Sequence, residues 1–193
     1  MTVPRITATP IVGVCVIEPV VRRDDRGFFV RTCDRDTYAE FGIDTTRFVQ
    51  QNQSRSSADT LRGLHFRAAL SEAKLVRCAR GTIFEAVVDL RPTSPTYRTT
   101  FTLTLDDVDH RQILVPPGCA HGFYALTDVD ICYQHDAVYE PSLERAVRFD
   151  DPDIAIDWPD GPRLLSDRDR DAPSFATIET ELSHWFPATT VTS

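Results

Sequence analysis

The chain of 193 residues has no long hydrophobic run. Its N-terminal apolar stretch, Ile11 to Ile17, is too short to cross a bilayer and lacks the charged lead-in of a secretory signal. Basic charge is not in excess either. The 21 Lys and Arg stand against 29 Asp and Glu, a net charge of −8 that argues against a general binder of nucleic acid or of a membrane surface. There is no CxxC pair. Cys15, Cys33, Cys78, Cys119 and Cys132 are scattered and odd in number, so small buried thiols are expected rather than disulfides or metal sites. Internal repeats and low-complexity linkers are also missing. The expectation is a cytoplasmic protein of one domain over 1–193, with a core of roughly 11–150 and a wrapping segment over 151–193.

What is present is a series of short strand signals separated by turns. "GVCVIEPVV" is β-branched, and "RDDRG" (Arg23 to Gly27) is a turn leading into "FFVRT". "KLVRCARG", "TIFEAVVDLR", "TTFTLTLDD", "RQILVPPG", "HGFYAL" and "DICYQH" follow. In "TTFTLTLDD" the side chains of Phe101, Leu103 and Leu105 share one face. This density of short strands predicts an antiparallel sandwich or barrel. Two helices are expected. One is short, over Asp34 to Gly42, with an Asp start and a Gly stop; the other is C-terminal, in "FATIETELSHWF". The Asp- and Pro-rich stretch after Asp150 predicts a loop around the core.

Two local patterns resemble the paired motifs of the cupin barrel. Pro116 to His121 reads P-x-G-x-x-H, and a first motif runs from Gly63 through His65 to Gly81. Metal-binding cupins carry two histidines at i and i+2 in that first motif. Here the i+2 residue is Arg67, which has no lone pair to offer a metal, and the candidate acid Glu72 precedes Lys74. No functional metal is therefore expected. The interior is expected to be polar, lined by His65, Lys74, His121 and Tyr133. A base, a cation and a phenol in one cleft are suited to proton abstraction beside a carbonyl.

Seven segments resemble a specific family in order. They are "DDRGFF", "FVQQNQS", "LRGLHF", "KLVRCARGTIFEAVVDLR", "PPGCAHGF", "DPDIAIDWP" and "LSDRDRDAPSF", spanning about Arg23 to Phe175. They are similar to the dTDP-4-dehydrorhamnose 3,5-epimerases, metal-free cupins that are usually homodimers. The resemblance implies a mainly β, jelly-roll barrel (double-stranded β-helix) with short helices near the N-terminal third and the C-terminus. It implies no cofactor and a dTDP-4-keto-6-deoxy sugar as substrate, inverted at C3 and C5 beside the C4 ketone. It further implies His65 as general base, Asp169 as the carboxylate orienting it, Lys74 as the cation near the C4 oxygen and Tyr133 as general acid. Arg26, Gln50, Gln51, Asn52, Arg62, His121, Glu144 and Arg168 fall on substrate-contacting positions. Arg26 and the "QQN" segment are expected to act across a dimer interface. Arg26, Arg62 and Arg168 together would hold a pyrophosphate in spite of the net negative charge, since guanidinium forks meet phosphate oxygens bidentately. Tyr139 is a candidate to stack on thymine.

The sequence leaves the family's pattern at three places: Arg31 where a Glu is usual, Arg67 where a Gln is usual, and "QHD", including His135, after Tyr133. Arg31 and His135 bear on substrate detail. These departures fit drift around an unchanged reaction, or a relative acting at one carbon or on another nucleotide sugar. A sugar-nucleotide 3,4-ketoisomerase and a non-catalytic sugar-binding cupin are the alternatives from other classes.

Overall fold

The computed structural model describes residues 3–188. Six strands form one antiparallel sheet in the spatial order β1 (Arg5–Ala8), β2 (Cys15–Glu18), β10 (Gln112–Val115), β7 (Lys74–Arg80), β12 (Val129–His135) and β5 (Gln50–Ser56). Five more form a second, in the order β13 (Glu144–Ala146), β6 (Leu61–Arg67), β11 (Cys119–Ala125), β8 (Thr82–Asp89) and β9 (Thr100–Asp106). A separate hairpin pairs β3 (Val21–Asp24) with β4 (Gly27–Val30). This is the cupin jelly roll: two antiparallel sheets face each other around a shared interior.

Strand alternation explains what fills that interior. Ile83 and Val87 of β8, Phe123 and Ala125 of β11, Val76 and Cys78 of β7, and Val129 and Ile131 of β12 meet in one buried cluster, joined by Ile113 and Val115. Phe101, Leu103 and Leu105 of β9 pack there too, as their shared face predicts. The opposite face of the five-stranded sheet is also apolar. Leu64, Phe66, Val88 and Leu90 are covered by Phe175, Ile178, Leu182 and Phe186 from helix α3 (Phe175–Trp185) and its end. Those residues recur at helical spacing, and Ser174 caps the helix by accepting from the Thr177 N–H.

Several boundaries differ from the sequence reading. The six-stranded sheet begins at Arg5, ahead of the expected core start at 11. Helix α1 covers Arg35–Ala39, capped by Asp34; its Tyr38 is buried, while Phe41 lies beyond it and is exposed. The wrapping segment carries a short helix, α2 (Asp167–Arg170), in addition to α3. β5, "QQNQSRS", has no apolar residue and gives no hydrophobic pattern. Pairing with β12 along its whole length, from Gln50↔His135 to Ser56↔Val129, makes it a strand. All five cysteines are free thiols, with Cys78 and Cys119 fully in the core. Burial pushes those two up to about 12, which leaves them poor nucleophiles. Among the described residues no helix is long and apolar enough to cross a membrane.

A bulge in β6 shapes the site. His65 lies opposite His121 and Arg62 opposite Phe123, so Gly63 and Leu64 together face the single residue Gly122. Arg62 and His65 are three apart and would point to opposite faces of a regular strand. The extra residue puts both on the inner face. The backbone comes too close here for side chains: a Cβ on Gly63, at φ +135°, would sit 2.6 Å from the Gly122 Cα. One on Gly122 would sit 2.6 Å from the Arg62 carbonyl oxygen.

Candidate active site

At one part of the interior the inward positions turn from apolar to polar. Glu85 follows Ile83 on β8, His121 precedes Phe123 on β11, Tyr133 and His135 follow Ile131 on β12, and Lys74 precedes Val76 on β7. Glu85 is fully buried; the others, with Asn52 and Ser54 of β5 and Arg62 and His65 of β6, surround a cavity of about 260 Å³, completed by Glu144 of β13 and Arg168 of α2. Of the residues singled out from the sequence, Asn52, Arg62, His65, Lys74, His121, Tyr133, Glu144 and Arg168 line this cavity.

Asp169 stands behind His65, with its Oδ1 2.5 Å from His65 Nε2. Its other oxygen accepts the Ser166 hydroxyl at 2.8 Å, and the same hydroxyl oxygen accepts the Asp169 N–H at 3.1 Å. Ser166 thus caps α2 and fixes the carboxylate at once. Burial opposes ionisation of Asp169, but the bonds from His65 and Ser166 outweigh it and hold its pKa below the ordinary value. An ionised Asp169 only accepts, so His65 Nε2 carries a proton, and in the neutral ring Nδ1 carries the lone pair. The His65 side chain is 27% exposed, against 4% for Asp169, so the imidazole alone meets the cavity.

A second imidazole–carboxylate pair is fully interior: His121 Nδ1 lies 2.7 Å from Glu85 Oε1. Burial raises the Glu85 pKa well above the usual carboxylate value and lowers that of His121 well below the usual imidazole value. Both shifts favour the neutral pair. A protonated Glu85 donates to Nδ1, which leaves Nε2–H as the ring's remaining donor. Glu85 was not singled out from the sequence. Its only signal is an acid at an inward position of an otherwise apolar strand. A pH test follows. Where folded Glu85 keeps a proton that the unfolded chain has lost, stability falls as pH rises. The opposing His121 contribution is complete above about pH 6.5. Glu85→Gln, which stays neutral, should therefore gain melting temperature over the parent between pH 6.5 and 8.5. A constant difference across that range in thermal unfolding would count against a protonated Glu85.

Lys74 Nζ lies 3.2 Å from Glu72 Oε2, an ion pair buried at the cavity wall. Tyr133 is 3.5 Å from the Ser54 hydroxyl, and burial raises its phenol pKa, so it stays protonated. Arg67 is neither a ligand nor free: its Nη1 donates to the Val138 carbonyl at 2.9 Å. Among the described residues no group of three or more His, Cys, Asp or Glu side chains is arranged to hold a metal ion.

The remaining residues lie elsewhere. Gln51, adjacent to Asn52 on β5, does not line the cavity; it lines an outer cleft with Arg77 and Gln112, which shares Asn52 and Tyr133 with the cavity. Arg26, on the β3–β4 turn, is 90% exposed at its side chain and paired with Asp24 at 2.6 Å, so it does not converge with Arg62 and Arg168 within one chain. Arg31 pairs with Asp34 at 2.6 Å, away from the cavity. Gln50 Oε1 accepts the Tyr139 N–H at 2.8 Å, while the Tyr139 side chain is exposed.

The model of the family described as dTDP-4-dehydrorhamnose 3,5-epimerase matches residues 8–177. The chain belongs to this family. It is 41% identical over 170 residues to the dTDP-4-dehydrorhamnose 3,5-epimerase of Methanothermobacter thermautotrophicus, covering 86% of this chain and 91% of that one. It is 42% identical over 170 residues to the dTDP-4-dehydrorhamnose 3-epimerase of Streptomyces niveus, covering 87% and 82%. Among solved structures it is similar to NovW, a 4-keto-6-deoxy sugar epimerase from the novobiocin gene cluster of Streptomyces spheroides. There the TM-score is 0.90 at 38% identity, over 97% of this chain and 94% of that one. Family membership makes the chain an isomerase, an epimerase of nucleotide sugars on a cupin fold.

Proposed function

We propose that the cavity inverts C3 and C5 of dTDP-4-keto-6-deoxy-D-glucose, toward dTDP-L-rhamnose or a related deoxysugar, without a cofactor. The observation that carries this is the ionised Asp169 on His65 Nε2, which leaves the Nδ1 lone pair to the cavity. His65 removes a proton from a carbon beside the ketone. The electron pair moves to the C4 oxygen, where the Lys74 ammonium and the His121 Nε2–H stabilise the enolate. The Tyr133 O–H then protonates the carbon from the opposite face. The result is an inverted centre, an imidazolium and a phenolate, which exchange protons with water before the next event. Arg62 and Arg168 supply the positive charge for the diphosphate, and Asn52 and Glu144 the polar contacts to the sugar.

The working unit on this reading is a cytoplasmic homodimer of single-domain chains. Phe29 of β4, 65% exposed, and Val49 beside β5 are apolar surface that a second copy would cover, and docking there would let Arg26 serve a neighbouring cavity. Inversion at one carbon is the second reading, favoured by the likeness to the 3-epimerase of Streptomyces niveus. Proton NMR of dTDP-4-keto-6-deoxyglucose with the protein in deuterated water separates them. Deuterium at both C3 and C5 is expected. Deuterium at one carbon would replace the double epimerase by the single one, and deuterium at neither would refute the epimerase reading for this substrate.

A further inference from the structure

Beside the His65–Asp169 pair, the cavity wall holds a second charged assembly, of which the reaction above uses only Lys74. Glu72, in the connection between β6 and β7, is buried, and three basic side chains converge on it. His135 Nδ1 lies 3.0 Å from Oε1, Lys74 Nζ 3.2 Å from Oε2, and Arg67 Nη1 4.0 Å from Oε1. Burial opposes its charge, but the hydrogen bond from His135 and the nearby Lys74 ammonium outweigh this and hold its pKa below the ordinary value. Glu72 is therefore an anion with three partners.

His135 is held at both ring edges. Its Nε2 lies 3.3 Å from the Asn52 side-chain nitrogen, which can only donate. Nε2 is then the acceptor, and Nδ1–H donates to Glu72. The ring so fixed lies against Tyr133, two positions back on the same inward face of β12, with centroids 6.0 Å apart and planes at 30°. A single carboxylate thus locates Lys74 directly and, through His135, restrains Tyr133 and Asn52.

Two-carbon inversion makes a specific demand on these groups. C3 and C5 lie on opposite sides of C4, so the sugar must re-seat between events while Lys74 keeps the C4 oxygen and Tyr133 reaches the opposite face each time. We propose that Glu72 and His135 are positioning residues that fix Lys74 and Tyr133 for both events and thereby set how the reaction is divided between the two carbons. This inference rests on the epimerase reading. The second event depends more on that fixed geometry, because it begins from a ring that has already moved.

The test measures deuterium exchange at C3 and C5 separately, with KM, for His135→Ala, Glu72→Ala and Glu72→Gln. Both alanine variants should slow the slower carbon roughly tenfold more than the faster one, with KM little changed, as expected when one positioning contact is lost from a near-attack geometry. Glu72→Gln retains an oxygen to accept from His135 and should restore the parent's ratio of the two rates. Should His135→Ala fail to fold, His135→Gln, which can still donate to Glu72 but presents no ring to Tyr133, should show the same skew. A ratio unchanged in folded variants, or an equal fall at both carbons, would overturn the proposal while leaving the epimerase reading intact. Absence of exchange in the parent protein would overturn both.

Discussion

Replacing His65 by alanine should abolish deuterium incorporation at every carbon that the parent protein exchanges, a loss of roughly 10³- to 10⁴-fold, the upper part of the range for a positioned general base. The size of the effect follows from the geometry. In the neutral His65 ring the Nδ1 lone pair is left unbonded, because ionised Asp169 accepts the hydrogen bond from Nε2–H at 2.5 Å. The other two imidazoles are arranged differently. His121 faces its carboxyl through Nδ1, with Nε2–H left as a donor, and His135 is bonded at both nitrogens. Neither can stand in for the base. Asp169→Asn should approach the same loss for a different reason. An amide nitrogen donates to Nε2, which moves the ring proton to Nδ1 and removes the lone pair from the cavity. The double variant should be no worse than His65→Ala, since the two residues act as one unit. The Asp169 pKa is depressed in the fold, so its stabilising contribution is present above the unfolded carboxylate value and is lost as pH falls through the folded one. The pair's stabilising contribution is therefore complete above about pH 4 and declines as pH falls further. Residual exchange above about a tenth of the parent rate in folded His65→Ala would place the base elsewhere.

How far the site could be read from the sequence depended on what kind of force placed each residue. Apolar strands announced themselves by alternation, and Phe101, Leu103 and Leu105 share a face as period two requires. β5 did not, because "QQNQSRS" owes its strand state to partners on β12 rather than to its own side chains. The same limit separates Asn52 from Gln51. Both sit in one motif, but Asn52 lines the cavity and Gln51 only the outer cleft. Arg62 and His65 show the converse. Period two would have parted them, and the bulge at Gly63 joins them; only the two glycines, each with no room for a Cβ, hint at it. Glu72 looked like a failed metal ligand beside a lysine. It is instead an anchor for Lys74 and His135, because folding brings three basic groups from three positions around it. Long-range convergence of this sort leaves no local pattern. Nor does the exposed Arg26, whose expected role belongs to a surface between copies rather than to one chain.

Tyr133→Phe should separate two activities that His65→Ala removes together. Exchange requires a base and a stabilised enolate; inversion also requires a proton delivered to the face opposite His65. Tyr133 lies on the six-stranded sheet and His65 on the five-stranded one, so their side chains approach the cavity from different walls. Burial keeps the phenol protonated, so in the parent protein an acid is always in place when the enolate forms. Without the hydroxyl, the enolate is reprotonated by the imidazolium that created it, on the original face and with whatever isotope His65 has picked up from water. Inversion should then fall by about 10²-fold or more, the contribution of one positioned acid, while exchange at the first carbon falls much less. The measurement is the ratio of epimerised product to deuterated but uninverted substrate, followed by proton NMR. The phenylalanine ring preserves the contact with His135, so a fall in this ratio reports the missing proton rather than a displaced wall. A parallel loss of exchange and inversion would mean that the hydroxyl assists enolate formation itself, and the acid would have to be sought among the other donors of the cavity, with the His121 Nε2–H first.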